Sequence, residues 1–133
     1  MKTIVDTSVW SLALRRKKKI NYPEIMALEK LISNFSVVML GPIRQEILSG
    51  VKHSSQFKLL ADYLRPFPDF EITTQDYETA AKYYNLLRKK GIQGSNTDFL
   101  ICSVAVNNNF NIFTTDKDFE KYAKFLPIEL YTF

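Results

Sequence analysis

At 133 residues the chain suits one domain with one continuous core, because a domain near this size buries about two-thirds of its unfolded surface. Hydrophobic residues make up 46%, with only 4 Gly and 5 Pro, which argues against disorder and against a turn-rich sandwich. The net charge of +4 and pI of about 9.1 permit a nucleic-acid partner without requiring one, and a single cysteine excludes an intramolecular disulfide.

The opening run Thr3-Ile4-Val5-Asp6 is short, β-branched and closed by a polar turn, which predicts a buried strand. Ser8 to about Arg16 reads as a helix, with Val9, Leu12 and Ala13 at helical spacing. Pro23 suits the first turn of a second helix with Ile25, Leu28, Leu31 and Ile32 on one face. Ser36 to Leu40 is a second apolar strand, and Pro42 to about Leu48 a third helix stopped by Gly50. Residues 54–65 predict a fourth helix, ended by Pro66 and Pro68, and Phe70-Glu71-Ile72 a short strand. Thr74 can cap a long helix running to about Lys90. After the Gly91 to Gly94 loop, Asn96 to about Asn107 is a strongly apolar helix, and Asn107-Asn108-Asn109 reads as a turn and nothing more. Phe110 to Thr114 is a strand, Lys117 to Phe125 a helix, and Ile128 to Tyr131 a last strand. Apolar strands alternating with helices predict an α/β fold with a parallel sheet covered on both faces.

The run Arg15-Arg16-Lys17-Lys18-Lys19 fits a solvated helix end, or a phosphate contact. Cys102 lies in an apolar run and reads as a small buried thiol. His53, the sole histidine, reads as a surface residue, so histidine-based zinc sites and a cysteine–histidine couple are poorly supplied. There is no Gly-rich phosphate loop. Asp6 interrupts the first apolar stretch, and no run reaches membrane-helix length, so a soluble, cytoplasmic protein with no membrane association is expected.

In open α/β sheets the working site lies outside the carboxyl ends of the strands. That filter singles out Asp6 after strand one, Glu46 in the helix after the second strand, and Asp116 after Thr114. Asp98 joins them if its helix starts at the same edge of the sheet. Each has a plainer reading as well. Asp6 or Asp116 can cap a helix, Asp98 completes Ser95-x-x-Asp, Asp118 completes Thr115-x-x-Asp, and Glu46 can simply face solvent. Converging carboxylates repel one another, so either some are protonated or a cation sits between them. Hard divalent ions take oxygen ligands, and at a phosphodiester they activate water and neutralise charge.

Four segments carry a family resemblance. They are Ile4-Val5-Asp6-Thr7-Ser8-Val9-Trp10, Ile43-Arg44-Gln45-Glu46-Ile47-Leu48, Thr97-Asp98-Phe99-Leu100-Ile101, and Phe113-Thr114-Thr115-Asp116-Lys117-Asp118-Phe119. Together they resemble a PIN domain, specifically the VapC-like toxin ribonucleases of bacterial and archaeal toxin–antitoxin pairs, over essentially the whole chain. The resemblance implies a single Rossmann-like, three-layer α/β/α domain over residues 1–133 with a central parallel sheet. It also implies Mg²⁺ or Mn²⁺ at Asp6, Glu46, Asp98 and Asp116. Ser8 matches a hydroxyl near the metal, with helix capping as its alternative. Asp118 matches an outer acid, where capping is the favoured account. Such toxins cut structured RNA as homodimers and are held inactive by a small antitoxin protein. One departure stands out: Phe99-Leu100-Ile101-Cys102-Ser103 replaces a commoner small or aliphatic residue followed by Ile-Ala-Ala, so altered packing around an intact site is expected.

Two other classes share a similar sheet. A phosphatase of the haloacid-dehalogenase type needs a second acid two residues after the first, where this chain has Ser8. A receiver domain has paired acids near strand one, and Asp6 has no adjacent acid. A PIN-like protein that binds RNA or a partner without cutting is the non-catalytic alternative.

Overall fold

The computed structural model describes residues 1–14 and 22–133. The basic run Arg15 to Lys19, and the end of the first helix near Arg16, lie outside the described residues. The elements in chain order are β1 (Thr3–Val5), α1 (Thr7–Leu14), α2 (Pro23–Ser33), β2 (Val37–Val38) and α3 (Gly41–Leu48), then α4 (Ser54–Leu64), α5 (Thr74–Lys89), α6 (Asn96–Asn108), β3 (Asn111–Phe113) and α7 (Asp118–Ala123).

The three strands form a parallel sheet in the order β2-β1-β3. Thr3 pairs with Val37 on one side and Asn111 on the other, and Val5 pairs with Phe113. All of β1 is buried. Successive strand residues point to opposite faces, so a strand buried throughout means a sheet covered on both faces. The Asp6 amide donates to the Phe113 carbonyl at 2.9 Å, which carries the ladder to the strand's last residue.

The expected strands Phe70 to Ile72 and Ile128 to Tyr131 do not form, and single bridges stand just before the first and within the second. Asp69 pairs with Met39 beside β2, and Leu130 with Ile112 beside β3, both parallel. Hydrogen bonds from Phe70 to Met39 (2.8 Å) and from Tyr131 to Ile112 (2.7 Å) hold these segments at the sheet's margins. Pro68, immediately upstream of Asp69, carries no N–H, so that segment cannot extend its ladder backwards.

The helices explain why the core is continuous. α5 packs along α6, α1 against α2 and α3, α3 against α4, and α6 against β3. Residues Phe99 to Ala105 of α6 are all buried, so this helix has no solvent face over two turns. A helix apolar on every side belongs in the interior.

The cap of α5 falls on Thr73 rather than Thr74. Thr73 is extended, and its side chain accepts from the Asp76 amide (3.2 Å) while its own amide donates to Asp76 Oδ2 (3.0 Å). Asp76 is buried, and its Oδ1 accepts from Asn107 Nδ2 at 2.8 Å. The asparagine run is therefore more than a turn. Asn109 supplies the left-handed end of α6 with φ 57°, and Asn107 ties α6 to α5. Asp76→Ala removes a cap and an inter-helix acceptor together. A loss of about 2–3 kcal/mol is expected, read as a lower urea midpoint with an unchanged slope.

Candidate active site

Asp6 stands where the central strand ends and α1 begins. Its carbonyl accepts from the Val9 and Trp10 amides (3.1 and 3.3 Å), so the turn into α1 is made by the backbone. Its carboxylate does something else. Oδ2 accepts from Thr114 Oγ1 at 2.8 Å and from Ser8 Oγ at 3.0 Å. Each hydroxyl has one proton, so the Ser8–Thr114 approach at 3.3 Å carries no further hydrogen bond. Ser8 and Thr114 in turn accept from the amides of Thr115 (3.1 Å) and Asp116 (3.0 Å). Among the described residues, nothing donates to Asp6 Oδ1. The side chain is 7% exposed, and no described lysine or arginine stands within 4.0 Å of it. A carboxylate this buried has a large cost unless its charge is met.

Asp98 lies in the first turn of α6. The Ser95 hydroxyl caps the helix by accepting from the Asp98 amide at 3.0 Å. The Asp98 carboxylate reaches across to α7, where Tyr122 OH donates to its Oδ2 at 2.8 Å. Glu46 is exposed on α3 and accepts from Thr7 Oγ1 at 3.2 Å. Asp116 sits just past β3, and its Oδ1 accepts from the Asp118 amide at 2.9 Å. Asp116 thus supports the start of α7, and the expected Thr115-x-x-Asp118 cap is replaced by this shorter turn. The Asp118 carboxylate points to Lys121, 3.5 Å away on the exposed side of α7.

The acids feel one another. Burial raises the Asp98 carboxyl above its ordinary range, against hydrogen bonds from Tyr122 and Ser95, and the charges of Asp6 and Asp116 raise it further. Glu46 is raised by partial burial, against the Thr7 hydrogen bond, with added repulsion from Asp6 and Asp98. Asp6, Glu46 and Asp98 therefore act on one another, Asp116 acts on Asp98, and the start of α6 brings Asp98 to the same edge of the sheet. The nearby Cys102 thiol is pushed up by burial and then by the charges of Asp98 and Asp6, so it stays a packing residue. His53 is exposed before α4.

This field has a pH signature. A carboxyl raised in the folded state holds its proton more readily than in the unfolded chain. Its stabilising contribution is complete below the unfolded value, about 4, and is lost as pH rises through the raised folded value. In EDTA, the wild-type chain should lose stability relative to Asp98→Asn as pH rises through that window. Urea midpoints of the two proteins at pH 4 to 7 measure the widening gap.

The donor set fits a hard cation. All four acids offer oxygen, and no described basic residue neutralises them. Among the described residues, no three acids, histidines or cysteines stand close enough together to hold a metal ion by themselves. An open set of carboxylates suits Mg²⁺ or Mn²⁺, ions that take few protein carboxylates and keep several waters.

Three residues at the site escaped a filter built on acids alone: Thr7, Thr114 and Tyr122. Thr114 was detectable in principle, since it directly follows β3, two residues before Asp116. Tyr122 carried a weaker signal, a tyrosine placed with Phe119 on the buried face of a short helix, whose hydroxyl must find a partner.

Residues 3–125 match the family profile of the PIN domain. The chain belongs to the PIN domain family. No curated protein sequence matches it. Solved PIN-like folds superpose along its whole length. VapBC2 from Rickettsia felis, bound to a DNA fragment from their promoter, has a TM-score of 0.77 at 20% identity and covers 100% of this chain and 99% of that one. VapBC-1 from nontypeable Haemophilus influenzae has a TM-score of 0.73 at 17% identity, covering 98% and 97%. VapBC-5 from Mycobacterium tuberculosis, a member of the VapBC family of toxin-antitoxin systems, has a TM-score of 0.71 at 16% identity, covering 99% and 98%. The parallel sheet and its flanking helices are those of a PIN domain. No helix among the described residues is long and apolar enough to cross a membrane.

Proposed function

We propose that this PIN domain is a Mg²⁺- or Mn²⁺-dependent endoribonuclease and the toxin of a VapBC-type pair. The observation that carries the reading is Asp6. It is a buried carboxylate at the carboxyl end of the central strand, with one oxygen clamped by two hydroxyls and with Glu46 and Asp98 in its field. Asp6, Glu46, Asp98 and Asp116 are the residues that would hold the ion. A divalent cation held there would supply charge neutralisation at a phosphodiester and a more acidic water for its hydrolysis. Ser8 holds the Asp6 carboxylate, and Asp118 supports the site from outside only through its backbone amide, which donates to Asp116. The whole chain, 1–133, acts as one domain that pairs with a second copy and with a small antitoxin protein.

Incubation of the purified chain with structured RNAs in Mg²⁺, Mn²⁺ or EDTA tests the activity. Cleavage in either metal and none in EDTA is expected. RNA retained on the protein but never cut would instead support a binding role. Expression of the chain alone should arrest growth, and co-expression of a small neighbouring reading frame should relieve the arrest. Sedimentation of the purified chain reads the homodimer.

A further inference from the structure

We propose that Tyr122 is a positioning residue for Asp98, and that Gly94 is the gap that lets it serve. The idea rests on the metal-binding reading above and adds to it residues outside the acid set. Three observations on separate elements meet here.

The Tyr122 hydroxyl, on α7, donates to Asp98 Oδ2 on α6 at 2.8 Å. The residue is fully buried, wedged between Phe99 (ring centroids 5.1 Å apart) and Phe119 (5.2 Å). Packed on both sides, the ring has little freedom, so the hydroxyl is held at a fixed point. A single bond from a fixed donor selects one orientation of the carboxylate it meets.

Gly94 completes the arrangement. A Cβ at this position would collide with the Tyr122 hydroxyl and would stand 2.8 Å from Phe99 Cζ. Gly94 is not in a left-handed conformation, so backbone freedom does not require glycine here. Space does. Any side chain would push the hydroxyl away from Asp98.

Partners that hold metal-ligating carboxylates and histidines in place commonly account for about 10–100-fold in metal affinity. Tyr122→Phe removes one oxygen and keeps every ring contact. Calorimetric titration of the metal-free protein with Mn²⁺ should show its Kd raised by about tenfold over wild type. Tyr84→Phe is the control, because that hydroxyl accepts from Arg88 and does not touch Asp98. Its Mn²⁺ Kd should equal the wild-type value. Gly94→Ala offers a second route to the same weakening by displacing the hydroxyl. A Tyr122→Phe Kd within twofold of wild type, in a protein with an unchanged circular dichroism spectrum, overturns the proposal. Tighter Mn²⁺ binding by that variant overturns it too. Wild-type protein that binds no Mn²⁺, or Asp98→Asn that binds it as well as wild type, brings down the metal-binding reading itself and this proposal with it.

Discussion

Asp6→Asn should lower metal-dependent RNA cleavage by at least about 10³-fold, some 4 kcal/mol in the barrier, while leaving the fold intact. The asymmetry of the Asp6 carboxylate is the reason. Ser8 and Thr114 both donate to Oδ2, and an asparagine can place its amide oxygen there and keep both bonds. The amide nitrogen must then occupy the Oδ1 position. It offers two protons where a cation would need a lone pair. The substitution therefore spares the clamp and removes the ligand. Single-turnover cleavage of one structured RNA in saturating Mn²⁺ measures the first effect, and a urea titration in EDTA measures the second. Cleavage at the wild-type rate by Asp6→Asn would remove Asp6 from the chemistry. Equal loss of folding would make it structural.

The second large effect concerns Phe99, the residue that departs from the small or aliphatic type common after the α6 acid. It is 1% exposed and packs edge-on against Tyr84 at 5.8 Å as well as against Tyr122 at 5.1 Å. Phe99→Ala should cost about 3–5 kcal/mol, a large fraction of the stability of a domain this size. Phe99→Leu should cost far less, because it keeps most of the volume. The ring is also what Gly94 accommodates, with its Cζ and Cε2 lying 2.8 and 3.0 Å from a Cβ built there. The two positions should therefore couple. Gly94→Ala is expected to cost about 1–3 kcal/mol in the wild-type background and measurably less in Phe99→Leu. Urea denaturation of the four proteins gives the coupling energy. Additive losses would show that the Tyr122 hydroxyl alone sets the need for glycine.

Arg44 shows how a charged residue inside a family motif can be committed elsewhere. Its guanidinium bonds Asp69 at 2.8 Å and the carbonyls of Leu64 and Phe67, tying α3 to the segment after α4. With three of its five N–H donors held by those acceptors, it serves to pin the segment after α4.

Strand-and-helix order follows from the amino-acid pattern because each element is decided locally. Thr3 to Val5 is apolar without a break, α6 is apolar on every face, and Asn109 is a residue type that tolerates a left-handed end. These features required a covered parallel sheet, and the filter by strand ends then drew Asp6, Glu46 and Asp116 from 14 acids. Short-range rules were weakest at the margins. Phe70 to Ile72 and Ile128 to Tyr131 have strand composition, but pairing needs a partner in register: the first has its bridge only at the preceding Asp69, and the second has one at Leu130. Asp98 depended on where α6 begins relative to the sheet, which periodicity does not encode. The contacts that finish the site lie further beyond sequence reach. Thr114 meets Asp6 across 108 positions, and Tyr122 meets Asp98 across 24. A hydroxyl takes whichever acceptor the packing brings to it, so its partner is set by how elements stack and by no local pattern. The chain's own residue types determined that a carboxylate would end the central strand. Only the stacking of β3, α6 and α7 against that strand decided which hydroxyls hold it and its neighbour in place.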